Sequence, residues 1–197
     1  MISIELNIII LIVLVVIILL GILFWFFYKK YTKLRKLAYS DDLGIFNHRE
    51  INRTINKLLK ETSVKSFSFI LIDIDRFKNY NDHYGYDKAD LILQDFVNVT
   101  KSFIRNNDVF FRYKNGDEFV LIMQNAKIEQ AKEIGNRLRR VIAYHPFKIE
   151  NVEVNLTISM GITCNFKSDT PDKIRKRAEE ALHEAKQSKN TIVLIDE

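Results

Sequence analysis

Two pairs of carboxylates stand beside the most apolar runs of the sequence. Asp73 and Asp75 close the run 67–74, while Asp117 and Glu118 directly follow the dipeptide 115–116, Asn-Gly. Like charges at a strand end repel each other unless water or a cation offsets them. Mg²⁺ takes hard oxygen ligands, commonly one or two carboxylates together with phosphate oxygens and water. The acids therefore predict a divalent-cation site if the fold brings the pairs together, and solvated acids at two separate edges if it does not.

The second pair lies in a predicted β-hairpin. Two runs rich in β-branched and aromatic residues, 109–113 and 119–122, flank its polar centre. Asn-Gly between such runs is a strong hairpin signal because both residues tolerate positive φ. We expect Asp117 and Glu118 at the mouth of this ribbon.

The predicted order of elements shows how the two pairs could meet. Hydrophobic periodicity and capping residues predict a helix after Arg49, a strand at 67–74, a helix from Asp90 to about 104, the hairpin, a helix at 128–143, a strand at 152–164, a helix from Pro171 and a strand at 191–195. Its core, β-α-β-β-α-β, is the split βαβ pattern. We therefore predict an α+β domain, α/β in the broad sense, with a ferredoxin-like, palm-type sheet that is rich in antiparallel pairs and flanked by helices. In that topology the end of the first strand can lie beside the hairpin turn.

The charge distribution argues against a nucleic-acid-binding protein. The chain has 197 residues and a net charge of +5, with 30 basic and 25 acidic residues. Five of the basic residues lie within 29–36, and Glu5 is the only charged residue within 1–28. Residues 37–197 therefore carry 25 basic and 24 acidic residues. A basic binding face would show a clustered excess in the folded domain. The single cysteine, Cys164, also excludes an intrachain disulfide framework.

Residues 8–28 contain no charged side chain and are mostly Ile, Leu, Val and Phe. At about 1.5 Å per residue, roughly 21 helical residues cross a hydrocarbon core of about 30 Å. An aromatic belt at 24–28 and the basic cluster follow, so the positive-inside rule predicts a transmembrane helix at 8–28 with residues 1–7 outside the cell. A cleaved signal peptide fits poorly because the run is too long and its basic residues lie on the wrong side.

Residues 29–40 form a predicted juxtamembrane linker helix. Phe27, Tyr31, Leu34 and Ala38 follow at helical spacing and form a short apolar stripe. This stripe favours pairing of two chains as a brief coiled coil. A linker that lies on the domain or on the bilayer is the alternative.

The remaining segment, 41–197, resembles the GGDEF family of diguanylate cyclases. Residues 115–119 stand where that family has Gly-Gly-Asp/Glu-Glu-Phe, and residues 73–82 match its D-x-D-x-F-K-x-x-N-D signature. Residues 41–49, 85–90, 159–162 and 177–186 are similar to four further motifs in the family's order. The resemblance runs from about 38 to 194.

This resemblance implies condensation of two GTP into cyclic di-GMP, with release of pyrophosphate, by a homodimer in the inner membrane of a bacterium. The implied ligands of Mg²⁺, or of Mn²⁺, are Asp73, Asp117 and the backbone carbonyl of Ile74. The other implied catalytic groups are Glu118 and Lys78. The implied substrate contacts are Phe77, Lys78, Asn81, Asp90, Lys186 and Lys189. An inhibitory site for the product is implied at Arg105 and Asp108, where R-x-x-D stands just before the hairpin; a plain helix-end ion pair is the alternative.

The sequence also departs from the family pattern. Asn115 replaces the first glycine of the hairpin motif, and Lys114 lengthens the turn. Lys189 stands where the family has Gly-Arg, and lysine cannot make the bidentate phosphate contact of arginine. Two other functions are therefore weighed: a catalytically degenerate receptor or scaffold for GTP or cyclic di-GMP, and a cyclase that makes another cyclic dinucleotide.

Overall fold

The computed structural model describes residues 14–30, 42–61, 64, 66–114, 116–150 and 152–196. Residues 14–30 form helix α1, and residues 42–196 form a separate α+β unit. Within the described ranges, no helix is both long and apolar enough to cross a membrane. The predicted membrane segment, 8–28, begins outside the described residues, and most of the predicted linker, 31–40, lies outside them as well.

The α+β unit consists of five helices and seven strands among its described residues. The helices are α2 (Arg49–Lys60), α3 (Phe77–Tyr84), α4 (Tyr86–Phe103), α5 (Ile128–Tyr144) and α6 (Pro171–Ser188). The strands are β1 (Phe67–Ile74), β2 (Val109–Tyr113), β3 (Glu118–Gln124), β4 (Phe147–Ile149), β5 (Val152–Val154), β6 (Ile158–Cys164) and β7 (Ile192–Ile195). Most of these bounds lie within a few residues of those that the sequence predicts.

The main sheet has the strand order β2-β3-β1-β6-β7. Its pairs are antiparallel except β6 with β7, which run parallel. The sheet is therefore mixed, and the predicted α+β architecture with flanking helices is confirmed. β1 is its central strand, with the hairpin β2–β3 on one side and β6 on the other.

Two segments differ from the prediction. The polar residues after β1, for which the sequence analysis predicts no helix, form α3, which is anchored by the buried ring of Phe77. The predicted single strand at 152–164 is divided into β5 and β6, and β5 pairs instead with β4 in a small hairpin. The division has a physical reason, because backbone carbonyls at the break accept bonds from elsewhere: Asn155 from the Tyr80 hydroxyl and Thr157 from the Asp75 N–H.

The sheet is covered on both faces. Ile70, Ile72 and Ile74 of β1 belong to a cluster with α4 and α5. Phe69 and Leu71 belong to the cluster on the opposite face, with α2 and α6. Because side chains alternate along a strand, Asp73 lies on the α6 face. Every residue of β1 is buried, so the end of this strand places the Asp73 carboxylate inside the protein.

Helix α6 lies directly on β6 at Gly161. A Cβ atom built there would lie 2.2 Å from the Ala178 carbonyl oxygen and 2.4 Å from the Leu182 nitrogen. Both are backbone atoms of α6, so the helix itself would have to move away. Gly161 therefore sets how closely α6 approaches the sheet.

We expect Gly161→Ala to lower the free energy of unfolding by about 3 kcal/mol, the upper part of the usual range for overpacking. Gly135→Ala is the matched control. Its Cβ would meet mainly the terminal methyl groups of Ile192 and Ile162, at 3.1 and 3.2 Å, and alanine improves helix propensity by about 1 kcal/mol. Urea unfolding should place Gly135→Ala within about 1 kcal/mol of the unaltered protein; similar losses for both variants would contradict this account.

Candidate active site

The end of β1 and the tip of the hairpin meet in the structure. Asp73 pairs in register with Glu118 of β3, and the Ile74 N–H donates to the Asp117 carbonyl oxygen at 3.2 Å. Two acids that are more than forty positions apart in the sequence therefore become neighbours across one strand pair. We call the corner formed by Asp73, Asp117 and Glu118 the acidic corner.

Asp73 is the most buried member of the acidic corner, with 4% of its surface exposed. Burial raises the pKa of its carboxyl group to about 6, with the charges of Asp117 and Glu118 adding to this and Lys186 opposing it. The Lys186 Nζ donates to Asp73 Oδ2 at 2.7 Å. One ammonium thus faces three carboxyl groups, and the corner favours further positive charge.

Lys186 is held protonated in this setting. Burial acts to lower its pKa, but the hydrogen bond and charge of Asp73 outweigh that, assisted by Glu118 and Asp117, so the pKa is raised above its usual value. About half of the side chain remains exposed (47%). The ammonium can therefore reach a bound anion as well as Asp73.

The acidic corner has the chemistry of a magnesium site with few protein ligands. Among the described residues, no group of three or more His, Cys, Asp or Glu side chains could hold a metal ion. Mg²⁺ commonly uses only one or two carboxylates, with substrate phosphates and water completing its shell. Asp73 and Asp117, with a backbone carbonyl such as that of Ile74, fit this smaller set, and no hydrogen bond reaches Asp73 Oδ1 from the described part of the chain.

Asp75 does not join the acidic corner, although the sequence places it on the same strand face as Asp73. Its carboxylate accepts hydrogen bonds from the Thr157 hydroxyl at 2.6 Å, the Ser159 hydroxyl at 2.7 Å and the Asn190 N–H at 2.8 Å. These three donors tie the end of β1 to β6 and to the end of α6. Asp75 is a structural acid that sequence periodicity alone cannot distinguish from a ligand.

Two of the implied substrate contacts, Asn81 and Asp90, lie on consecutive helices. Asn81 is half-buried on α3, and Asp90 is exposed in the second turn of α4. Gly85 joins the two helices with φ +81°, a conformation that favours glycine. Lys78 is exposed on the first turn of α3, whereas Phe77 has only 4% of its surface exposed and packs in the core.

The hairpin tip is braced by groups that the sequence analysis missed. The Arg112 Nε donates to the Gly116 carbonyl oxygen at 3.0 Å, and the Tyr113 hydroxyl donates to Glu179 Oε1 of α6 at 2.6 Å. Lys114 also reaches Glu179, at 3.5 Å. The replaced glycine, Asn115, lies outside the described residues. No local pattern indicates the two bonds to Glu179, because they join the hairpin to a helix more than sixty residues later.

The implied inhibitory site is partly folded into a local turn. The Arg105 N–H donates to Asp108 Oδ2 at 3.0 Å, and the Asp108 N–H donates to the Arg105 carbonyl oxygen at 3.0 Å. Burial raises the pKa of the Asp108 carboxyl group, against the opposing effect of Arg105. The Arg105 side chain is exposed, and its guanidinium is accessible to an anion.

The mixed sheet and its acidic corner define an α+β domain with a candidate site for a metal ion and phosphate groups. The model of the family described as "Diguanylate cyclase, GGDEF domain" matches residues 38–191. The chain therefore belongs to the GGDEF family.

Two relatives and one solved structure illustrate the likeness. The response regulator PleD of Caulobacter vibrioides is 35% identical over 165 residues, which cover 80% of this chain and 36% of PleD. Diguanylate cyclase A of Treponema denticola is 34% identical over 132 residues, covering 66% of this chain and 35% of that protein. The chain thus spans about a third of these relatives. A crystal structure of the coiled coil and GGDEF domain of DgcB from Caulobacter crescentus, in complex with c-di-GMP, has a TM-score of 0.78 at 19% identity and covers 86% of this chain and 92% of that chain, which shows the shared fold.

Lys189 occupies a backbone conformation that suits glycine. It follows α6 with φ 54° and ψ 164°, close to a region that non-glycine residues enter at a cost of about 1–3 kcal/mol. Gly-Arg stands here in the family pattern. Lys189 therefore retains the positive charge of the arginine but places a non-glycine residue in a strained backbone conformation.

We expect Lys189→Gly to be about 1 kcal/mol more stable than Lys189→Ala, because glycine relieves the strain and gives back only part of the gain as unfolded-state entropy. Both variants remove the same charge, so the comparison isolates the backbone. Thermal and urea unfolding of the two variants measure the difference. Equal stability would mean that the turn at Lys189 carries no strain.

Proposed function

We propose that the chain is a membrane-anchored diguanylate cyclase. It condenses two GTP into cyclic di-GMP and releases pyrophosphate, with Mg²⁺ or Mn²⁺ as the cofactor. The observation that carries the proposal is the acidic corner itself: a buried Asp73 carboxylate that faces Glu118 and Lys186, in a chain that belongs to the GGDEF family.

The chain's own residues supply the parts that nucleotidyl transfer needs. Asp73, Asp117 and the Ile74 carbonyl would hold the metal ion, which when bound would neutralise charge on the phosphates and lower the pKa of the attacking 3′-hydroxyl. Lys186 and Lys78 bring ammonium groups to the phosphate oxygens. Glu118, half-buried beside Asp73, accepts the proton of the 3′-hydroxyl. As the 3′-oxygen bonds to the α-phosphorus of the other GTP, the bond to the leaving pyrophosphate breaks.

Base selection falls to α3 and α4. The Asn81 amide offers both hydrogen-bond donors and an acceptor, and the Asp90 carboxylate offers acceptors. These groups match the donors and the acceptor on the amide edge of guanine. Asp90 can accept from the N1–H and N2–H₂ groups of guanine, which adenine lacks. This favours GTP over ATP as the substrate and cyclic di-GMP over other cyclic dinucleotides.

One domain holds one GTP, so ring closure needs two domains related by a two-fold axis. We therefore propose a homodimer. A membrane anchor and a pairing linker at 29–40 raise the effective concentration of the second domain without any new contact between the domains. The product, cyclic di-GMP, also binds at Arg105 and Asp108 as an inhibitor under this proposal.

A receptor without catalysis is the second candidate. Lys186 already occupies one oxygen of Asp73 at 2.7 Å, and Lys114 lengthens the turn beside the acidic corner with φ 51°. Both features favour a site that binds GTP or cyclic di-GMP more readily than it turns GTP over. Turnover is what separates the two candidates.

We expect the purified chain to convert GTP into cyclic di-GMP in the presence of Mg²⁺, with products resolved by chromatography and mass spectrometry. Asp117→Asn should lower the rate by roughly a hundredfold or more, since a lost metal ligand removes several kcal/mol of transition-state stabilisation. Glu133→Gln, an exposed acid on α5, is the matched control and should leave the rate unchanged. GTP binding without turnover would favour the receptor, and turnover that needs ATP would favour another dinucleotide.

The membrane anchor is proposed for residues 8–28, with residues 1–7 outside the cell and 41–197 in the cytoplasm. Its support is the uncharged apolar run, the helical conformation of 14–30, and the aromatic belt beside the basic cluster, where Lys29 Nζ lies 5.0 Å from the Trp25 ring centroid.

On fractionation of expressing cells, we expect the full chain in the membrane fraction, resistant to alkaline carbonate and released by detergent. A variant without residues 1–30 should stay in the supernatant. A full chain that partitions like this variant would refute the anchor while leaving the cyclase proposal open.

A further inference from the structure

Three side chains form a row across the strands at the acidic corner. Glu118 of β3 lies directly opposite Asp73 of β1 on one side and Tyr113 of β2 on the other. Residues that are directly opposite on paired strands point to the same face of the sheet. Tyr113 belongs to the apolar cluster on the α6 face, and Asp73 is bonded to Lys186 of α6, so the row faces that helix.

Helix α6 presents a matching row to these strands. Glu179 and Lys186 are seven positions apart, which is two turns of helix, so they lie on one face about 10.5 Å apart along the axis. Two strand spacings of about 4.8 Å give nearly the same distance across the sheet. Leu182, between them, is 4% exposed and packs in the same apolar cluster as Tyr113. The helix can therefore contact β1 and β2 at once.

The contact between Glu179 and the hairpin is a short hydrogen bond. Tyr113 is 6% exposed, and its hydroxyl donates to Glu179 Oε1 at 2.6 Å. Burial, followed by the hydrogen bond and the charge of Glu179, raises the pKa of the Tyr113 hydroxyl above its usual value, so the group remains a donor near neutral pH. A hydrogen bond from a hydroxyl to a carboxylate is charge-assisted and about twice as strong as a neutral one.

This bond lies beside the lengthened turn of the hairpin. Lys114, the residue that lengthens it, directly follows Tyr113 and has φ 51°. Its ammonium lies 3.5 Å from the same Glu179 oxygen and 4.7 Å from the Tyr113 ring centroid. A longer turn has more conformations to lose when it is ordered, and this turn carries Asp117 and Glu118. Glu179 thus restrains the two residues that enter the turn, one of which lies opposite Glu118.

We propose that Glu179 is a positioning residue for nucleotidyl transfer, and that through the Tyr113 hydroxyl it keeps the hairpin acids beside Asp73. Misplacing a reacting group by about 1 Å can lower a rate by roughly a hundredfold, and loss of one brace allows part of that movement. The inference rests on the proposed cyclase activity, because it uses the roles given above to Asp117 and Glu118. It adds a residue that acts on those acids from outside the acidic corner.

The test compares Tyr113→Phe, Glu179→Ala and their combination with the unaltered full chain in detergent. At saturating Mg²⁺, each single variant should lower kcat for cyclic di-GMP synthesis about tenfold and keep KM for GTP within about twofold, because the base contacts on α3 and α4 remain. The double variant should be no slower than either single variant, since both changes remove the same bond. Glu179→Gln should keep most of the rate, because its amide oxygen can still accept from the hydroxyl.

Binding of Mn²⁺ gives a second readout that needs no turnover. Mn²⁺ is titrated into the chain in the presence of 3′-deoxy-GTP, which lacks the attacking hydroxyl, and free Mn²⁺ is followed by electron paramagnetic resonance. Tyr113→Phe and Glu179→Ala should each weaken Mn²⁺ binding about fivefold, because Asp117 is less well pre-organised. Glu180→Gln is the matched control, since it is the next residue of α6 and its ion pair with Lys176, at 3.8 Å, stays within the helix. Thermal unfolding establishes that each variant is folded.

Lower kcat and weaker Mn²⁺ binding in Tyr113→Phe and Glu179→Ala, with Glu180→Gln unchanged, support the proposal. Unchanged kcat, a change confined to KM, equal losses in Glu180→Gln, or effects that multiply in the double variant would overturn it and leave the cyclase proposal standing. An unaltered chain that makes no cyclic di-GMP would refute the cyclase proposal instead. The Mn²⁺ titration alone would then decide whether Glu179 positions the acids, and unchanged or absent Mn²⁺ binding would overturn that role.

Discussion

The structure depends on keeping one carboxylate, that of Asp73, buried at the end of a central strand. A buried charge is costly unless it is paired and hydrogen-bonded, and Asp73 has one ammonium partner, Lys186, at 2.7 Å. Its register neighbour Glu118 and the adjacent Asp117 add negative charge. The fold thus brings together three carboxyl groups whose negative charge a single lysine only partly neutralises. The remaining negative charge suits the corner to a cation that a phosphate ligand carries.

The register of β1 and the seating of α6 together maintain this arrangement. A slip of one residue would turn Asp73 onto the opposite face of the sheet, where Ile70, Ile72 and Ile74 form the core with α4 and α5. On the correct face, Gly161 lets α6 approach the sheet so closely that no side chain fits between them. The same helix then ends at the site, with Lys186 in its last turn. A packing glycine in β6 therefore helps to determine where a functional lysine lies.

The sequence predicted those parts of the fold that local patterns specify. β1, the hairpin and helices α5 and α6 follow from apolar runs, Asn-Gly and helical periodicity, and the meeting of Asp73 with the hairpin follows from the topology. Helix α3 was missed because its residues are polar and Phe77 is its one buried side chain. The β4–β5 hairpin was missed because strands of three residues carry too little periodicity to be recognised.

The roles of individual acids and cations were the least predictable part of the site. Asp73 and Asp75 look equivalent in the sequence, yet one faces an ammonium and two acids while the other is enclosed by Thr157, Ser159 and Asn190. The residues that enclose Asp75 are all more than eighty positions away from it in the sequence. No pattern around β1 contains that information.

The two sides of the β1 end have opposite electrostatic character. The β3 side gathers Asp73, Asp117 and Glu118 around one lysine, whereas the β6 side presents Arg76 and Lys189 around a carboxylate that is already satisfied. Neighbouring strands lie only about 4.8 Å apart, so both sets of charges lie at one strand end. They also share the end of α6, because Lys186 lies in its last turn and Lys189 caps it. The end of α6 therefore links the hydrogen bonding of Asp75 on one side of β1 to the position of Lys186 against Asp73 on the other.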